Sequence, residues 1–114
     1  MVAREWHATA TPAGADKYAD YARTRLLPLL ARLQGFVQLI LLQRLRADGG
    51  TELVVLSIWE SMEAMRGFAG DDVSRAVVEP EAARLLTAFD ESVTLFDVAA
   101  SSRAAGDTGR PAGG

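Results

Sequence analysis

The chain has no cysteine among its 114 residues, so disulfides, thiolate metal sites and cysteine nucleophiles are all excluded. It has one histidine, His7, too few for a histidine-rich metal site within one subunit. Lysine is nearly absent as well. Lys17 stands alone, no basic run occurs and the net charge is −3, which gives nucleic-acid binding little electrostatic support. No apolar run reaches membrane-spanning length, and the N-terminus, Met1 to Trp6, lacks the apolar core of a signal peptide. These absences predict a cytoplasmic protein with neither nucleic acid nor membrane among its partners.

What is present is an ordinary folded composition, 49% apolar and 24% charged. A chain this long makes one domain that buries about two-thirds of its unfolded surface. The domain is expected over residues 1–100. From Ser101 to Gly114 the residues are small, glycine or proline-rich, and a disordered tail is expected there.

Ala3 to Thr9 reads as a first strand, with Arg4, Trp6 and Ala8 on one side and Glu5, His7 and Thr9 on the other. Thr11-Pro12 is a helix start, and Tyr18, Tyr21, Leu26, Leu30 and Leu33 then follow helical spacing. Pro28 should kink or break that helix near Leu27. Phe36 to Arg46 is a nearly continuous apolar run that expects cover on both faces. Asp48-Gly49-Gly50 turns the chain into a return strand, Leu53 to Trp59. Ser61 can cap a helix carrying Met62, Met65, Phe68 and Ala69 on one stripe, and Gly70 follows where a left-handed residue ends a helix. A short helix over Asp71 to Val78, another from Pro80 with Leu85, Leu86 and Phe89 on its apolar face, and a last strand over Ser92 to Val98 complete the expectation.

The order is β-α-β-β-α-β, the ferredoxin-like split βαβ arrangement of the α+β class, an antiparallel sheet with helices on one face. Strands apolar on both faces leave one face bare. A second copy meeting the same face, giving a homodimer through the sheet, covers it most simply.

The strand ending in Trp59-Glu60-Ser61, followed by a helix ending in Phe68-Ala69-Gly70-Asp71, resembles the antibiotic biosynthesis monooxygenases, a family of dimeric α+β barrels. The resemblance runs roughly from Arg4 to Val98. It implies a homodimer and an apolar pocket for a small aromatic ligand. It also implies oxygenation with no cofactor: the substrate anion itself reduces oxygen, so neither metal nor flavin is needed, only a dry cavity and one base.

His7, the one side chain with an ordinary pKa near neutral, is the candidate base. The resemblance places functional residues at His7, Val55, Trp59 and Met65, and strand parity and the helical stripe add Ser57 and Phe68 around the ligand. The expected cavity lies between the helices and a strand face bearing His7, Val55, Ser57 and Trp59, roofed by Met65 and Phe68. Plainer readings stand beside these: Trp59, Met65 and Phe68 as core, His7 as a hydrogen-bonded strand residue, Tyr18 and Tyr21 as packing under the sheet. The departures are informative. Haem-degrading relatives have a tryptophan and an iron-ligating histidine where this chain has Phe68 and Val78. Quinone-forming relatives have an asparagine and a tyrosine where it has Val55 and Met65. Many others end in His-Tyr-Glu-Val, against Leu95-Phe96-Asp97-Val98 here. A binder that has lost the catalytic groups, or an isomerase or cyclase on the same scaffold, is therefore the alternative to an oxygenase.

Overall fold

Alternation in the first strand decides where everything else packs. In the computed structural model, which describes residues 1–102, β1 spans Val2–Ala10, and every second side chain from Val2 to Ala10 is buried. Three further strands complete most of an antiparallel sheet: β2 (Phe36–Leu45), β3 (Thr51–Trp59) and the short β4 (Ala88–Phe89), in the order β2-β3-β1-β4. A fifth, β5 (Thr94–Asp97), also pairs with β1. Thus β4 and β5 share the edge beyond β1, one at each end. The helices lie on one face, as the element order requires.

Helix α1 (Pro12–Tyr21) begins as its sequence dictates, with the Thr11 hydroxyl accepting from the Gly14 amide and proline at the first helical position. Pro28 does not break the helix, but the regular α-helical ladder is interrupted just before it. A π-helical turn, Ala22–Leu26, precedes it, and α2 (Leu27–Ala31) continues beyond. The Leu27 amide reaches back to the Ala22 carbonyl. That widened turn sits where the proline's missing amide and its ring would otherwise disturb an α-helical ladder.

Helix α3 (Met62–Ala69) is capped by Ser61, whose hydroxyl accepts from the Ala64 amide, and it stops at Gly70 with φ 81°. Gly35, at the entry to β2, has φ 84°, and a Cβ there would sit 2.4 Å from the Cβ of Ala64. Glycine is therefore what lets α3 settle against the start of β2.

Two expected elements are different in the structure. No helix forms over Asp71 to Val78. Asp72 instead accepts from the Ser74 amide at 3.1 Å, a local turn that competes with helix. The backbone beyond it bonds to the 91–92 segment, Ala76 to the Glu91 carbonyl and Arg75 bridged to Ser92. The helix from Pro80 is one turn, α4 (Pro80–Ala83), and Phe89 belongs to β4. The Thr87 amide is drawn to the Thr9 carbonyl at 2.8 Å, which pulls this segment onto the sheet edge. Of the tail, only Ser101 and Ser102 fall within the described residues.

The covered face holds two apolar clusters. One gathers Trp6, Ala8, Tyr18, Tyr21 and Leu53 under α1; the other gathers Val2, Leu30, Trp59 and Met65 under α2 and α3. On the opposite face Ile40, Leu42, Val54, Leu56 and Ile58 carry no helix, and Leu42 is 48% exposed. The run from Phe36 to Leu45 is thus covered on one face only.

Candidate functional site

Pairing places Arg4 opposite Ser57, between Val2 and Trp6 on one strand and between Val55 and Trp59 on the next. Those neighbours belong to the two apolar clusters, so a polar cross-strand pair marks the seam between them. A cavity lies on that seam, between sheet and helices. Arg4, Trp6, Tyr18, Val55, Ser57 and Phe68 line it, with Leu30, Val77 and Val93 among the closing side chains. Its free volume is about 50 Å³, room for a water molecule or so.

Arg4 is only 4% exposed. Its guanidinium donates to the carbonyl of Val73 at 3.2 Å and to that of Arg75, and it lies 5.6 Å from the centre of the Phe68 ring. No carboxylate lies within ion-pair distance of it among the described residues. Burial holds its pKa below the usual arginine value, yet a guanidinium remains protonated at any physiological pH. Tyr18 is buried too, and that burial raises its phenol's pKa, with the neighbouring Tyr21 adding to the effect. The phenol therefore stays protonated and can donate. The Ser57 oxygen accepts from the Trp59 indole at 2.9 Å, which leaves the serine O–H free to donate elsewhere.

Of the residues expected around the ligand, Val55, Ser57 and Phe68 line this cavity. Trp59 and Met65 are fully buried beneath it. Trp59 is held between Phe68, stacked at 5.8 Å, and Phe36, edge-on at 5.4 Å.

His7 is a correction. It does not share a face with Val55, Ser57 and Trp59. It pairs with Val54, so it points to the uncovered side of the sheet, because β1 alternates and Trp6 already faces the helices. There its Nε2 lies 2.9 Å from Glu5 and its Nδ1 3.7 Å from Glu52, while Glu52 also accepts from Arg44 at 2.6 Å. This network borders an open cleft of about 590 Å³ on the bare face. The hydrogen bond to Glu5 raises the His7 pKa, outweighing the opposing effect of burial, and the charges of Glu5, Asp90 and Glu52 add to the rise.

Reading parity within each strand was sound; aligning the parity of one strand with that of the other needed the register, which the sequence does not contain. Arg4, Trp6 and Tyr18 are among the cavity residues that were not expected there. One signal was available. Arg4 is the charged residue in a set of alternate positions otherwise occupied by Val2, Trp6, Ala8 and Ala10.

Among the described residues no group of three or more histidine, aspartate or glutamate side chains is placed to hold a metal ion. No described helix is long and apolar enough to cross a membrane. The sequence matches the family described as antibiotic biosynthesis monooxygenase over residues 1–93. No curated protein sequence matches it. Solved structures share the fold. One, from Bacillus cereus, is provisionally described as an antibiotic biosynthesis monooxygenase. It has 20% identity and a TM-score of 0.62, and the match covers 90% of this chain and 97% of that one. MhuD of Mycobacterium tuberculosis, a haem degrader with two haems in its active site, has 21% identity and a TM-score of 0.55, covering 90% and 100%. SnoaB of Streptomyces nogalater, a cofactor-independent oxygenase, has 24% identity and a TM-score of 0.54, covering 88% and 94%.

Proposed function

Because the chain belongs to the antibiotic biosynthesis monooxygenase family, we propose that it binds an aromatic small molecule in the sheet–helix cavity and oxygenates it without metal or flavin. The observation that carries this reading is the cavity on the Arg4–Ser57 seam, walled by Trp6, Tyr18 and Phe68 and supplied with hydrogen-bond donors. Aromatic walls with a few polar groups are what orient a flat ligand. The free volume of about 50 Å³ is smaller than any fused-ring ligand, so binding requires Phe68 and the segment around Val77 to move outward. Val77 is already 45% exposed, and that segment has no regular structure.

Among the described residues no side chain lining the cavity is a histidine or a carboxylate. In this reading the protein positions and stabilises an anion that the substrate forms itself, and His7 is not the base. The same observation supports the rival reading, a binder that performs no chemistry. It also argues against haem degradation, since the chain's histidine faces away from the cavity. The SnoaB likeness, at the level of fold, is compatible with oxygenation. We also infer that two copies pair through the bare sheet face, burying Ile40, Leu42, Leu56 and Ile58.

Oxygen uptake by metal-free protein with 1,8-dihydroxyanthrone, compared with the rate without protein, tests the reading. Faster uptake with quinone formation is expected. Saturable binding with no added oxygen consumption would establish the binder instead.

A further inference from the structure

We propose that Arg4 is a ligand-binding residue and that the cavity selects molecules carrying an anionic oxygen, a carboxylate or an aryl or enol oxide, over their neutral counterparts. The inference rests on the cavity being the ligand site and adds the chemical class of what enters it.

A guanidinium that is 4% exposed ordinarily has a carboxylate beside it, because an uncompensated buried charge is costly. Among the described residues Arg4 has two backbone carbonyls and the face of an aromatic ring as partners, and no carboxylate. The carbonyls of Val73 and Arg75 fix the direction of the guanidinium but carry no net charge. Two of its five N–H groups are engaged by them, which leaves donors over.

The surroundings are biased the same way. Ser57, opposite Arg4, and Tyr18 can each donate a hydrogen bond, and among the described residues no cavity side chain is an anionic acceptor. A neutral ligand leaves the positive charge uncompensated in an apolar seam. An anion restores neutrality and accepts a charge-assisted hydrogen bond in surroundings that exclude water. A role confined to pinning the 73–75 loop would require the two carbonyl contacts. It would give no reason for a cation and two hydroxyls to converge on the cavity with no carboxylate among its described lining residues.

Isothermal calorimetry with 2-naphthoate and with 2-naphthamide, which share a ring system and differ in charge, tests the proposal on the intact wild-type chain. Naphthoate should bind about tenfold or more tightly than naphthamide. In Arg4→Gln the preference should fall to within about threefold while naphthamide still binds. Equal affinities in the wild type, or an undiminished preference in folded Arg4→Gln, would overturn the anion assignment and leave the cavity reading intact. Binding of neither probe would overturn both. The wild-type ratio needs no variant, so the test stands even if Arg4→Gln does not fold. Absorbance titration of bound 2-naphthol separates the two ligand sources. A hydroxyl pKa lowered by about one unit or more assigns an aryl oxide as an accepted anion, and an unchanged one restricts the site to carboxylates.

Discussion

Arg4 and Ser57 face each other across β1 and β3, and the apolar core divides above them. Every other buried side chain of β1 belongs to one cluster or the other. A fold of this size can pack a single core, so a charged residue in the middle of its central strand is an interruption. It creates a polar floor at which two sets of apolar side chains end. Sheet, helices and cavity are consequences of one another here: alternation buries Arg4, burial forces its guanidinium onto loop carbonyls, and those contacts hold the 73–75 segment beside the cavity.

The Ser57 hydroxyl is expected to matter for stability as well as for the site. It is the acceptor for the indole of Trp59, which is fully buried. Ser57→Ala should cost about 1–3 kcal/mol by leaving that N–H unpaired. Trp59→Phe removes the donor, so in the double variant the Ser57→Ala penalty should largely vanish. Urea titration of the four proteins measures the coupling, and additive losses would contradict it.

Sheet parity now separates two neighbouring apolar residues. Ile40 pairs with Leu56 on the bare face, while Leu41 pairs with Val55 and packs against the core under α1. Ile40→Asp should yield a folded monomer by sedimentation, since the charge would lie in the proposed interface. Leu41→Asp should destabilise the subunit itself by roughly 2–4 kcal/mol. An Ile40→Asp protein that remains dimeric at micromolar concentration would remove the sheet-face interface.

That distinction shows how far the sequence could be read. Alternation in β1, the caps at Thr11 and Ser61, the Gly70 stop and the strand–helix order up to Gly70 were all legible, because each is local chemistry. Which face of β2 is covered was not legible: the run from Phe36 is apolar in both parities, and a bulge between Phe36 and Gln38 shifts its register. The His7 placement failed for a related reason, since the relative parity of two strands is decided by pairing. The 71–78 segment misled because its backbone groups bond to a partner segment near Glu91, too distant in the chain for local periodicity to reveal.

Gly35→Ala should be destabilising by more than about 1 kcal/mol, because it strains a positive φ and drives a methyl into Ala64. Adding Ala64→Gly should restore only part of the loss, relieving the contact but not the backbone. Thermal melts of the single and double variants test this. Complete rescue would mean that the backbone conformation costs alanine nothing.

The histidine network predicts a small, signed pH dependence. The His7 pKa is raised, first by its hydrogen bond to Glu5. The protonated form is therefore favoured by folding, and its contribution is fully present below the unfolded value, about 6.5. It is lost as pH rises through the higher folded value. The ring is 40% exposed, so solvent screening keeps the effect small. His7→Gln should flatten the dependence of the urea midpoint between about pH 6 and 8. It should leave naphthoate affinity unchanged, because the imidazole faces away from the cavity. A loss of affinity in a folded His7→Gln protein would return the residue to the ligand site.

The two tryptophans divide the molecule's fluorescence between them. Trp6 lines the cavity, 6.2 Å from the Tyr18 ring and with its indole N–H on the Asp90 carbonyl at 2.7 Å. Trp59 is sealed between two phenylalanines and bonded to a serine. An occupant of the cavity meets the first indole directly, while the second is separated from it by the Phe68 ring. The protein thus carries one emitter in the cavity wall and one packed behind the Phe68 ring, where an outward movement of that ring would register, both placed by the alternation that splits its core.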